Sequence, residues 1–123
     1  MKHIAILGLG VVGKGTADLL EKNRALIEAR IGEAVNIKYI LDLRDFPGTP
    51  YETRVVHDFS IIENDPEIEL VAETMGGAHP AYDFSMACLK AGKSVVTCNK
   101  HLVAEKGLDV NVLQKLGFGG CRI

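Results

Sequence analysis

Apolar residues along this chain fall in short continuous runs set between longer stretches of helical spacing. Ile4 to Leu7 form the first run. After a glycine-rich turn, Val12, Thr16, Leu19, Leu20, Asn23, Leu26, Ile27 and Ile31 recur at three- and four-residue intervals. That periodicity predicts a helix reaching about Arg30, with Gly32 as its stop and Lys22, Glu28 and Arg30 on its solvated face. Val35 to Leu41 alternates and then becomes wholly apolar, which reads as a second strand. A strand, a crossover helix and a strand in one sheet are parallel and right-handed. Further along, Val55-Val56-His57 reads as a short strand, and Asp58 as a cap before Phe59, Ile61 and Ile62. Asn64-Asp65-Pro66 ends that helix. Leu70 to Thr74 and Ser94 to Cys98 read as further strands. Between them Pro80 opens a helix whose apolar stripe is Ala81, Phe84, Cys88 and Ala91, closed by Gly92. Val112, Leu113 and Leu116 repeat at helical spacing, and Gly117 to Gly120 break that pattern before a short remnant, Cys121 to Ile123. The fold class is α/β: a single-domain, doubly wound and mostly parallel sheet.

The first turn carries the chemistry. Gly8-Leu9-Gly10-Val11-Val12-Gly13 follows a strand and opens a helix, the context in which a G-x-G-x-x-G pattern holds a dinucleotide. Gly8 permits the tight turn, Gly10 lets a pyrophosphate approach the backbone, and Gly13 lets the helix pack closely on the strand. Free N–H groups and the positive dipole end at the helix start attract phosphate. This is a Rossmann-type expectation, with NADP or NAD as cofactor. Asp42 and Arg44 close the second strand, where the adenosine ribose lies in such a unit. An acid there takes the ribose hydroxyls of NAD and an arginine accepts a 2′-phosphate; the chain offers both. Thr74, Met75 and Gly76 follow another strand end and are read as a wall beside the nicotinamide. Asn99 and Lys100 end the next strand, where a lysine can hold a carbonyl or hydroxyl oxygen or relay a proton.

Composition narrows the partners. The 123 residues carry a formal charge of −2 without a basic cluster, which argues against nucleic acid and anionic membranes. The N-terminal apolar run is too short and glycine-broken for a signal peptide or membrane span, so a cytoplasmic location is expected. Three cysteines and four histidines show no metal-ligand spacing, so no metal site is expected.

Ile6 to Gly13, Glu73-Thr74-Met75-Gly76-Gly77 and Ala91 to Lys100 together resemble the nucleotide-binding domain of homoserine dehydrogenase, over most of residues 1–107. The Asn99-Lys100 pair is the discriminating feature. The resemblance implies interconversion of aspartate semialdehyde and homoserine with a nicotinamide cofactor, on the route to threonine and methionine. It places Leu9, Val11 and Val12 nearest the dinucleotide, Arg44 near a residue for the 2′-phosphate, and Lys100 between cofactor and substrate in a catalytic role. The partners it implies are thus a small-molecule cofactor and an amino-acid substrate. Residues 108–123 read as a helix and a divergent tail, and the family's catalytic domain is not found in this sequence. The alternative is a stand-alone dinucleotide-binding module without catalysis. The strand at Ser94 would then keep an unpaired apolar edge, from which a homo-oligomer is expected.

Overall fold

The computed structural model describes residues 1–75, 81–97 and 121–122. Its strands are β1 (Lys2–Leu7), β2 (Val35–Leu41), β3 (Val55–Val56), β4 (Ile68–Glu73), β5 (Ser94–Thr97) and β6 (Cys121–Arg122). Its helices are α1 (Val11–Lys22), α2 (Arg24–Ile31), α3 (Ser60–Glu63) and α4 (Ala81–Lys90). The strands form one sheet in the order β3-β2-β1-β4-β5-β6, and every pairing is parallel. Strand order reverses beside β1, since β2 lies on one side and β4 on the other. Such a switch point opens a crevice at the carboxyl ends of the strands.

The pleat of β1 divides the core into two layers. Ile4 and Ile6 pack with Leu9, Ala17, Ile37, Ile40 and Tyr51 on one face. Ala5 and Leu7 pack with Leu41, Ile62, Val71, Cys88, Leu89 and Val95 on the other. Strands covered on both faces read as unbroken apolar runs, which is why β1 and β2 are plain in the sequence. Burial also pushes the Cys88 thiol up to about 12, so it behaves as a small core side chain.

Four expectations are corrected. The long first helix breaks at Asn23, whose side-chain amide donates to the Leu19 carbonyl at 3.0 Å while α2 begins one residue later. Asparagine competes in this way for its own helix backbone. The buried side of α1 is Gly13 and Ala17, with Leu20 half-buried. Leu19 is 61% exposed, because only small residues fit where α1 approaches the sheet, and Leu26, in α2, is 57% exposed. Glu28 is half-buried and not on a solvated face, since its carboxylate accepts from Arg24 Nε at 2.9 Å. Finally, the edge of β5 is not open: the backbone of Cys121 and Arg122 pairs with Val95 and Val96. That edge therefore gives no ground for self-association.

The amino end of the sheet is closed by polar contacts. Asp65 accepts from Lys38 Nζ at 2.6 Å and from the Tyr39 hydroxyl at 2.9 Å, and the Lys38 contact leads in holding its carboxyl down at about 2. Lys93, 4% exposed, donates to the carbonyls of Asp65 and Ile68 at 2.6 and 3.1 Å. Replacing it removes two hydrogen bonds, one of them to the buried Ile68 carbonyl, a loss worth roughly 2 kcal/mol. Lys93→Met is expected to lower unfolding free energy by that order in urea titration while leaving ligand binding unchanged. An unaltered urea midpoint would contradict the role.

Candidate functional site

Gly8 turns the chain out of β1 with φ +92°, a backbone angle that side-chain-bearing residues rarely adopt. Its amide donates to the Leu41 carbonyl at 2.7 Å, tying the turn to the end of β2. Helix α1 then starts against β1. A Cβ on Gly13 would lie 2.0 Å from the Gly8 carbonyl oxygen and 2.7 Å from Thr74 Oγ1. No side chain fits there, in keeping with the close helix–strand packing expected of this glycine. Gly10 is the opposite case, with nothing within 4 Å of an added Cβ. It caps α1 without a side-chain hydrogen bond, and the first turn holds no acid. Lys14 N makes the first bond back to Gly10 O, at 2.8 Å, so the amides ahead of it have no partner within the helix. Open space before uncapped amides suits a phosphate.

Thr74 ties the end of β4 into the same turn. Its hydroxyl donates to the carbonyls of Leu7 and Gly8 at 3.0 and 2.8 Å. Met75 follows, with its Cγ 3.2 Å from the position of a Cβ on Gly8. A cleft of about 580 Å³ opens between these strand ends, lined by Gly8, Gly10, Asp42, Arg44, Thr74 and Met75 from the expected set. His57, Phe59, Phe84, Leu41 and Leu43 line it as well, with the Phe59 and Phe84 rings stacked at 4.3 Å. Leu43 is 91% exposed at the rim.

At the end of β2 the charges are paired. Arg44 donates through Nε to Asp42 Oδ1 and through Nη2 to Oδ2, both at 3.1 Å, and Nη2 reaches the Leu9 carbonyl at 3.4 Å. Asp42 Oδ2 also accepts from the Leu9 amide at 2.9 Å. Burial opposes the Asp42 charge, but the Arg44 and Leu9 hydrogen bonds prevail and hold its carboxyl at about 2. Phe46 lies under the Arg44 guanidinium, 4.7 Å from ring centre to Cζ, in a loop where its own φ is +52°. That left-handed angle is uncommon for a bulky residue and stores local strain at the rim of the cleft.

His57 follows β3, the strand beside β2. Its Nδ1 lies 2.7 Å from the Asp42 carbonyl oxygen and its Nε2 2.7 Å from Asp45 Oδ1. Both partners only accept, so both ring nitrogens must donate and the ring is a cation in this arrangement. The Asp42 carbonyl leads and Asp45 follows in raising its pKa above 6.5.

Among the other expected residues, Leu9 takes part through its backbone, since its side chain is buried in the core. Val11 and Val12 stand exposed at the open start of α1. Gly76, Asn99 and Lys100 lie outside the described residues. Sequence reasoning missed His57, Phe59 and Phe84. A signal for His57 did exist: it ends a strand on the crevice side, as Asp42 does. The aromatic pair carried none, because Phe59, ahead of α3, and Phe84, in α4, meet only in the folded chain.

A sequence model described as the NAD-binding domain of homoserine dehydrogenase matches residues 8–123. The chain belongs to the homoserine dehydrogenase family. Its domain is the one that takes the nicotinamide dinucleotide. Homoserine dehydrogenase of Lactococcus lactis is 35% identical over 117 residues, covering 90% of this chain and 27% of that protein. Among solved structures, the Staphylococcus aureus enzyme at pH 7.5 superposes with a TM-score of 0.89 at 31% identity, over 98% of this chain and 31% of that one. The Thiobacillus denitrificans enzyme gives 0.89 at 31% identity, over 98% of this chain and 28% of its own. The chain thus spans about a quarter of the length of the curated relatives it matches.

Two expectations follow from the cleft of this family domain. Gly13→Ala forces Cβ onto the Gly8 carbonyl, an overpacking cost of about 1–3 kcal/mol. A clear fall in melting temperature together with loss of nucleotide binding is expected, and retention of both would contradict the packing. For His57, a raised folded pKa means that its pairing stabilises fully below the unfolded value near 6.5 and is lost as pH rises through the folded value. An NMR titration of its ring should give a midpoint above 6.5, moving down in Asp45→Asn. A midpoint at or below 6.5 in the unmodified chain would remove the pairing.

Proposed function

We propose that this domain holds NADP(H) in preference to NAD(H), as the cofactor half of a homoserine dehydrogenase that interconverts aspartate semialdehyde and homoserine. The observation that carries the dinucleotide is the uncapped start of α1 behind Gly10, with open space in front of it. Gly8 and Gly10, with the exposed amides of the first turn, hold the pyrophosphate. Asp42, Arg44 and His57 face the adenosine ribose, and Thr74 and Met75 the nicotinamide side, with Gly76 beyond them. When bound, the cofactor supplies or accepts hydride, and the protein's task is to orient it and exclude water. In this proposal Lys100, with Asn99 before it, places a positive charge on the substrate oxygen. The cytoplasmic setting and the place in threonine and methionine biosynthesis belong to the same reading.

The preference for a 2′-phosphate comes from Asp42 and Arg44. Asp42 is largely buried, and both its oxygens already accept hydrogen bonds. A ribose diol has to displace Arg44 to reach them. Arg44 is 63% exposed, and its bonds to Asp42 use Nε and Nη2 and not Nη1. That end of the fork is open to a phosphate oxygen.

Calorimetric titration of the 123-residue chain with NADPH and NADH tests both parts. NADPH is expected to bind at least about tenfold more tightly, and Arg44→Ala to remove most of that advantage by weakening NADPH alone. Equal affinities in the unmodified chain would defeat the 2′-phosphate assignment. No binding of either nucleotide would defeat the functional reading for this chain.

A further inference from the structure

Glu73 ends the central strand β4 and is fully buried, yet it lines neither face of the adenosine cleft. A carboxylate out of water is costly unless its oxygens are well satisfied. At this point in a parallel strand an apolar residue would pack at lower cost, so the acid needs a reason. Its contacts give one. Oε1 accepts from the Met75 amide at 2.6 Å, and Oε2 from the Thr97 hydroxyl at 2.6 Å. Thr97 is the residue directly opposite in β5. One carboxylate thereby fixes where the chain turns after β4 and where β5 ends.

The geometry points to Glu73 as a positioning residue that shapes the nicotinamide side of the cleft by lashing the ends of β4 and β5 together; this rests on the dinucleotide proposed above. Two anchors divide the work. Thr74 binds the turn after β4 back to Leu7 and Gly8, on the side of the pyrophosphate. Glu73 binds the same turn across to β5, away from Asp42, Arg44 and His57. Met75 lies between them, held by its amide to Glu73 and touching the glycine turn with its side chain. Without Glu73 the Met75 amide loses this acceptor, while the adenosine end keeps every contact described for it.

The distinction can be read with two probes, NADPH and adenosine 2′,5′-bisphosphate, which carries the adenosine end and lacks the nicotinamide. Glu73→Ala is expected to weaken NADPH by about tenfold while leaving the bisphosphate within about twofold. Glu73→Gln keeps an acceptor for the Met75 amide and offers a donor to the Thr97 hydroxyl oxygen, so it should bind NADPH within about twofold of the unmodified chain. Thr97→Val removes one bond without opening the core. It should show the same asymmetry at about threefold, and it answers the question if the alanine variant does not fold. Equal losses for both probes, no loss in either Glu73→Ala or Thr97→Val, or a glutamine variant as impaired as the alanine one would each overturn the proposal. Failure of the unmodified chain to bind either probe would instead strike the cofactor reading on which it rests.

Discussion

The close contact of α1 with the end of β1 sets the terms for the rest of this molecule. The Gly13 backbone lies so near the Gly8 carbonyl that a single methyl group is excluded. Ala17, one turn on, is fully buried for the same reason. A helix held this close has no latitude to slide along the strand, so its first turn is fixed at the carboxyl edge of the sheet. The N–H groups there point into the crevice because the packing behind them leaves no alternative. Thr74 shares the contact, and so the end of β4 is registered on the same few atoms. The open, uncapped start of this helix is therefore a consequence of packing.

Around that fixed point the charges are arranged in pairs with different exposures. Asp42 is buried and engaged on both oxygens, whereas its partner Arg44 is mostly exposed over Phe46. Asp45 and His57 form a second pair further out, joined to the first through the Asp42 carbonyl. Exposed pairs contribute little to stability by themselves. Their effect here is one of placement: the Asp42 carboxylate and carbonyl hold Arg44 and His57 at the edge of the cleft. Asp42 is satisfied from within while Asp45 is largely exposed, so Arg44 and His57 stand as cationic donors among mostly apolar lining residues.

Much of this arrangement is legible in the amino-acid sequence, and for identifiable reasons. The buried run Ile4–Leu7 makes β1 plain in the sequence, and shorter apolar stretches bounded by polar residues and turns mark β2, β4 and β5. Glycine turns signal backbone demands that other residues do not meet, which fits the positive φ of Gly8 and the close approach at Gly13. The family resemblance rests on these same stretches. What escapes the pattern is information that resides in tertiary contacts. Periodicity marks the larger apolar residues of α1 as its inner face, yet the sheet admits only Gly13 and Ala17 there and turns Leu19 outward. The break at Asn23 depends on a side-chain hydrogen bond that spacing alone does not reveal. Two residues at Cys121 and Arg122 are too short a run to read as a strand, and only pairing with β5 makes them one. Glu73 is visible within a motif but not as a device, because an acid in an apolar strand looks like an exposed interruption until its neighbours are known.

Glu73 and Lys93 show the same solution applied at opposite ends of the sheet. Each is a charged side chain almost wholly removed from water, and each spends its hydrogen bonds on holding chain ends together. Lys93 closes the amino end, where it takes up the Asp65 and Ile68 carbonyls at the turn into β4. It stands at the far end of the strands from the cleft, so its effect is on stability alone. Glu73 works at the carboxyl end, where the chain leaves the sheet to form the walls of the crevice. There the same kind of bond sets the shape of a surface instead of only its strength. The difference arises from position, since in a parallel sheet all strands deliver their ends to one side. A polar staple at that side necessarily acts on whatever the crevice receives.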